Sequence, residues 1–336
     1  MNKTLNGWKF IFSILIVCHH ATCFFHDPHF WRAYLAVEFF FIVSGLLLAK
    51  KWYEKSKESP FLWVKRKVIR IYPIFLYSIS LLVLVGLLRT KNSYYFICSN
   101  LDLLYELLFL NSSGITTYAI NDPDWYVSSM LLAGFFYMAI FLINKKLLIL
   151  VVPAIIISGI SFIVNQFHTL NIHSKLVFTI LDTGLIRALV DMGIGICTYY
   201  IISNMKTRNN RLYNSISEII LCCFSYLFLI NSYQSQYDIL IIPIFVLLVA
   251  ASFKQQGIIS IILESRLFQF FTKFSTSLYL THFVVVRFIQ YRNIRIHTIK
   301  FVAISLLFAM ISYYTVDFIT AENNNSILRR KLKFIL

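Results

Sequence analysis

Residues 33–49 read Ala33-Tyr34-Leu35-Ala36-Val37-Glu38-Phe39-Phe40-Phe41-Ile42-Val43-Ser44-Gly45-Leu46-Leu47-Leu48-Ala49, an apolar run broken by one acid. About 20 such residues cross bilayer hydrocarbon as a helix, so this run reads as a membrane span. Behind it come Lys50, Lys51, Lys55, Lys57, Lys65, Arg66, Lys67 and Arg70. Under the positive-inside rule that basic stretch faces the cytoplasm. The run and its basic flank together imply a crossing and its direction.

The rest of the chain repeats the pattern. Of its 336 residues, 58% are hydrophobic and 14% charged, with 32 Phe and 20 Tyr. Soluble domains carry about 25% charge. The mean hydropathy is +0.71. A water-soluble globule of this size cannot hide so much apolar surface. Disordered, collagenous and disulfide-scaffold classes are excluded by composition. The net charge of +16 is read as loop topology, so no nucleic-acid partner is expected. The fold class is all-α, a polytopic membrane protein with about ten transmembrane helices. Residues 1–336 are expected to form a single integral-membrane domain with the lipid bilayer as partner.

Ten spans are predicted, at roughly 6–26, 33–49, 70–88, 125–143, 147–165, 177–202, 214–231, 238–253, 275–291 and 301–320. Counting from the basic loop puts both termini in the cytoplasm. Lys145–Lys146, then Lys206, Arg208 and Arg211, then Arg329, Arg330, Lys331 and Lys333 all fall inside on the same count. Arg292 and Arg295 fall outside, against the rule. Residues 89–124 hold no clean span. Leu101–Leu110 is interrupted by Asp102 and Glu106, and a polar run follows to Asp124. A short interfacial helix and a loop capping an outward-facing pocket are expected there. The first apolar stretch has no small-residue cleavage site and is expected to remain as a helix. Cys18, Cys23, Cys98, Cys197, Cys222 and Cys223 have no metal-ligand spacing. No disulfide framework and no metal are expected.

Ionisable residues inside spans are costly and mark candidate sites. Lys9 and His20 lie 11 residues apart. That is about three turns plus 20°, so they share a face, roughly 16 Å apart along the axis. Lys9 sits near the cytoplasmic end, where snorkelling is the plain alternative. His19 points elsewhere on the helix, and His26 and His29 fall in the outer loop. Glu38 falls close to the depth of His20, where a carboxylate orients an imidazole for base catalysis. Ser44-Gly45 offers a close-approach point. Asp182, Arg187 and Asp191 fall within one span, and Arg187 and Asp191, four apart, are expected to pair along it. Tyr279 and His282 fall early in the ninth span, where a helix–helix hydrogen bond is the plain reading. Asp317 stands alone in the last span.

These residues are similar to the motifs of one family. Asn6-Gly7-Trp8-Lys9, then His20, resembles an opening motif of a cation, ten residues and a histidine. Val37-Glu38-Phe39-Phe40-Phe41-Ile42-Val43-Ser44-Gly45 resembles an acidic-Phe-Phe-x-x-Ser-Gly motif. Phe61, Arg66 and Arg70-Ile71-Tyr72-Pro73 resemble a basic motif that follows it. Arg187 to Gly193 and Gly195 fit an Arg-to-Gly motif. Ser275-Thr276-Ser277-Leu278-Tyr279-Leu280-Thr281-His282 resembles a Ser-Tyr-x-Leu-Tyr-Leu-x-His signature. Taken in order from residue 6 to about 285, the chain resembles the integral-membrane acyltransferase 3 family, which O-acylates surface glycans. One departure is plain: where the family has Glu five residues after a Trp, Met130 follows Trp125.

The resemblance implies an O-acetyltransferase in a bacterial inner membrane, with acetyl-CoA as donor. It implies a cell-surface glycan or lipid-linked oligosaccharide as acceptor, with glycan-assembly proteins as partners. A stand-alone form without a fused esterase-like domain is expected. Lys9, Arg66 and Arg70 are expected at the phosphates, and Lys65 and Lys67 are left to topology. His20 is expected as general base with Glu38 holding its imidazole, and an acyl-histidine variant stays open. Arg187, Trp125, Tyr279 and His282 are structural or ligand candidates. Two competing classes are a transporter or flippase, against which no inverted repeat is seen, and a non-catalytic scaffold.

Overall fold

The computed structural model describes residues 2–25, 29–54, 58–89, 100–116, 119–177, 179–205, 210–230, 235–253 and 257–333. His26, Lys55, Lys57, Cys98, Lys206 and Arg208 lie outside these. The protein is all-α, and each of the ten predicted spans falls on a helix. These helices are α1 (Lys3–Phe25), α2 (Ala36–Glu54), α3 (Pro60–Arg89), α5 (Trp125–Asn144), α6 (Leu148–Phe167), α7 (Thr183–Asn204), α8 (Arg211–Ile230), α9 (Ile241–Phe253), α12 (Ser275–Arg292) and α13 (Thr298–Lys333). Among the described residues eight helical stretches are long and apolar enough to cross a membrane, with Asp122–Phe167 as one of them and Ser275–Arg292 not among them. Shorter helices are α4 (Asn100–Leu107), α10 (Ile258–Glu264) and α11 (Arg266–Thr272). Exposed Ile149, Leu150, Ile157, Leu212, Phe224 and Leu227 suit hydrocarbon rather than water. The protein is a multi-pass membrane protein.

Several boundaries differ from the sequence reading, α2 running on to Glu54 and α13 to Lys333, and two others bear on the site. Helix α3 begins at Pro60, ten residues early. Proline suits a first helical position, and Lys65, Arg66, Lys67 and Arg70 therefore ride on a helix. Helix α7 begins at Thr183, so Asp182 caps it from outside rather than lying within the span. The Asp182 side chain accepts the Gly184 N–H at 2.7 Å. Before it, a two-residue hairpin pairs β1 (Leu176–Val177) with β2 (Leu181–Asp182), antiparallel. Helix α12 matches its prediction, so Arg292 stays at its far end, over the rings of Phe288 and Tyr291.

Helix α2 lies along α7 at the centre. Contact is close because both helices carry glycine where they meet. A methyl group on Gly45 would come within 2.0 Å of the Met192 carbonyl oxygen. One on Gly195 would come within 2.0 Å of the Ile42 carbonyl oxygen. Small residues let helix backbones approach in a membrane, where packing rather than water drives association. Aromatic side chains fill the neighbouring layer. Phe12 of α1 stacks on Phe39 of α2 at 4.1 Å, and Phe245 of α9 meets both edge-on.

The outer connections are tied by buried acids. Asp238 accepts two N–H bonds from Arg32, at 2.6 and 3.0 Å, and further bonds from Tyr34, Thr169 and the Leu170 amide. It thereby joins the segments after α1, α6 and α8. Of the stretch after α3, the described residues 100–116 and 119–124 form the expected short helix and a loop. Glu106 of α4 accepts the amides of Ile120 and Asn121 at 2.7 and 2.9 Å. Asn121 then donates to the Leu280 carbonyl of α12 at 3.1 Å. The loop is thus fastened across the helix that carries His282.

Candidate active site

Helices α1 and α12 run side by side. Ser13 and Ser275 meet at 2.9 Å. Seven residues on along each helix, the rings of His20 and His282 meet, with centroids 4.9 Å apart and planes at 63°. Seven residues return to nearly the same face of a helix, so the serine and histidine contacts belong to one seam. Phe24 stacks on His20 at 5.9 Å, and Phe283 meets it edge-on at 5.7 Å. His282 Nδ1 lies 3.1 Å from the Leu278 carbonyl oxygen. That oxygen only accepts, so Nδ1 carries the hydrogen and Nε2 keeps a lone pair. His282 Nε2 and His20 Nδ1 are both buried without a partner. The contact is a helix–helix one, as the sequence leads one to expect for His282, and its partner is the candidate base His20.

Glu38 does not hold His20. Its Oε1 accepts from Arg187 of α7, at 3.1 Å from Nε and closer still from the second nitrogen. Arg187 also donates to the Ile172 carbonyl at 2.7 Å. The intrahelical pairing of Arg187 with Asp191 is likewise replaced. The close approach of α2 at the two glycines puts a carboxylate within reach of the guanidinium fork, and Asp191 also bears on Glu38. Arg187 lies 4.9 Å from the Trp125 ring centroid. Trp125 in turn stacks on His173 at 5.0 Å. His173 Nε2 lies 3.4 Å from Asp122 Oδ1. Tyr279 donates to the Pro123 carbonyl at 3.0 Å. Trp125 and Tyr279 thus have structural partners around the histidines.

The wall below the histidines is aromatic. Tyr279 lies 6.3 Å from His282, 5.9 Å from Phe40 and 5.5 Å from Tyr126. Tyr126 reaches Ser44 at 3.4 Å. Acids in the connections between the spans are perturbed, Asp182 and Glu106 among them. Burial raises the Asp182 carboxyl against the Gly184 amide that favours its charge. Burial pushes Glu106 up to about 7, against the amides of Asn121 and Ile120.

At the other end of α1 stands a cluster of cations. Lys67 and Arg70 of α3 act on the Lys9 ammonium, and Arg70 acts on Lys67. Lys67 lies 5.5 Å from the Trp63 ring centroid. Among the described residues no carboxylate pairs with Lys9, Lys67 or Arg70. Arg66 differs, because it pairs with buried Glu58, which Lys51 also reaches at 2.6 Å. The sequence reading chose Arg66 and left out Lys67. A spacing of four suggested one face for Arg66 and Arg70; the charges that act on Lys9 are those of Lys67 and Arg70.

Comparisons with known proteins agree with this architecture. The family model described as "Acyltransferase domain" matches residues 2–320. A protein of Rhizobium radiobacter named "Protein 2 in picA locus" is 34% identical over 82 residues, which cover 23% of this chain and 42% of that protein. No solved structure matches the chain.

Proposed function

The chain belongs to the family of the acyltransferase domain, and from that premise we propose that it moves an acetyl group from cytosolic acetyl-CoA to a hydroxyl of a surface or lipid-linked glycan. We place it in a bacterial inner membrane, in keeping with its basic inner flanks and its bacterial relative. One observation carries the reading. Lys9, Lys67 and Arg70, which no carboxylate among the described residues pairs, act on one another at one end of the α1 face, and His20 stands about 16 Å along it.

Coenzyme A has phosphates at one end and its thioester at the other. Lys9, Lys67 and Arg70 bind the phosphates, where a guanidinium offers a fork for oxygen pairs. Arg66, held by Glu58, stays at the rim. The pantetheine arm runs past Ser13 and Ser275, beside the wall of Phe40, Tyr126 and Tyr279. The thioester reaches His20, and the acceptor enters under the loop fastened to Leu280. His20 takes the hydroxyl proton as the oxygen attacks the thioester carbonyl. The carbon–sulfur bond breaks, an ester forms, and the proton passes from the imidazolium to the departing thiolate. Glu38 and Arg187 act here as a strut that holds α2 against α7.

The test compares surface glycans of wild type, a deletion strain, and the deletion complemented with His20→Ala, by NMR and mass spectrometry. Loss of one O-acetyl group in both mutant strains is expected. Unchanged acylation with altered glycan amount or length overturns the reading in favour of transport or scaffolding.

A further inference from the structure

His20 needs a partner to set which nitrogen is its base, and Glu38 is taken by Arg187. The environment of His20 narrows the choice. Two ring nitrogens, His20 Nδ1 and His282 Nε2, are buried and bare, on rings 4.9 Å apart with phenylalanines around them. One of the two is already decided, because the Nδ1–H of His282 is committed to Leu278 and its Nε2 is an acceptor. A hydrogen on Nδ1 of His20 supplies the matching donor. Bare buried donors and acceptors are disfavoured, and rings with centroids 4.9 Å apart are near enough for an N–H···N bond between these two atoms. The rings do not meet by chance of rotamer. The Ser13–Ser275 contact, seven residues back on both helices, keeps α1 and α12 in register.

We infer that His282 is the positioning residue of the catalytic histidine: its Nε2 accepts the Nδ1–H of His20, leaving the Nε2 of His20 as the free base. The catalytic consequence rests on the acyl-transfer reading above, whereas the tautomer does not. When His20 Nε2 takes the acceptor proton, the positive charge is shared through the N–H···N bond to His282. No bond to His282 forms or breaks, and the proton leaves from His20 with the thiolate. A neutral second imidazole thus does the work often given to a carboxylate.

The full-length protein, labelled with 15N-histidine in lipid nanodiscs, tests this by NMR of the ring nitrogens. The expected wild-type spectrum shows His20 with hydrogen on Nδ1 and a bare Nε2. In His282→Phe that preference is lost, and in His282→Gln, whose amide oxygen replaces the acceptor, it returns. A parallel assay follows thiol release from acetyl-CoA in membranes of the native host. His282→Phe is expected to lower kcat about 100-fold with KM for acetyl-CoA unchanged, and His282→Gln to regain part of it. Hydrogen on Nε2 of His20 in the wild type, or an Nδ1–H preference unmoved by His282→Phe, overturns the inference. Should His282→Phe fail to fold, the wild-type and His282→Gln spectra decide it alone. The expected spectra without acyl transfer by the wild type overturn the functional reading and leave the histidine pair standing.

Discussion

Arg187 of α7 donates to Glu38 of α2 across 149 positions of chain, with Nε at 3.1 Å from Oε1, and both side chains are almost fully buried. Removing one partner strands a charge in the core and is expected to cost about 3–5 kcal/mol. Glu38→Gln and Arg187→Met should each lower thermal stability in detergent, and the double variant should be less damaged than the sum. A double variant at the additive value would show that the two do not act as a pair.

Gly45 and Gly195 set the spacing that this pair requires. Gly45→Ala and Gly195→Ala each place a methyl against a facing backbone carbonyl, which has no rotamer to change. A loss of at least the ~1–3 kcal/mol of ordinary overpacking is expected. Gly159→Ala is the comparison, since its methyl would come within 2.4 Å of a Val190 methyl, a side chain that can shift where a backbone carbonyl cannot. Melting temperatures of the three variants should separate the first two from the third.

The cations at the inner end of α1 should act on donor affinity. Lys9→Ala, Lys67→Ala and Arg70→Ala are each expected to raise KM for acetyl-CoA about tenfold, which is ~1.4 kcal/mol, with kcat little changed. Arg66→Ala should change KM little, because its guanidinium is committed to Glu58. Steady-state kinetics of the four variants check this, and an equal effect at Arg66 would count against the phosphate assignment.

Glu106 should make stability fall as pH rises. Burial lifts its carboxyl from 4.5 to about 7 in the folded protein. Between those values the folded form holds a proton that the unfolded form has released, so stability falls as pH rises through that window. Glu106→Gln should flatten the melting temperature between pH 5 and 7 relative to wild type. An identical slope in the variant would place the effect elsewhere.

Much of the fold was legible in the chain because a bilayer imposes local rules. Each span must satisfy its own backbone hydrogen bonds, so the ten helices show as apolar runs. Their expected direction rests on the lysines and arginines between them. Lys9 and His20 were placed on one face by the 100° turn of a helix, a purely local geometry. The start of α3 was missed because Lys65, Arg66, Lys67 and Arg70 break the apolar run, although a helix continues through them.

Partners across the fold were not legible in the same way. Composition and spacing made Glu38 a companion for His20 and Asp191 a companion for Arg187. Helix packing instead joined Glu38 to Arg187 and Arg66 to Glu58, and left Lys67 with Arg70 as the charges that act on Lys9. Asp238, which ties three outer segments, gave no signal beyond being an acid near the end of a span. His20 and His282 stand 262 positions apart in the chain, as do Ser13 and Ser275. The sequence by itself determined which residues share a helix face, because that follows from backbone geometry over a few turns. Only the tertiary structure decided which faces meet, because that depends on glycine-sized gaps and aromatic packing between helices distant in the chain.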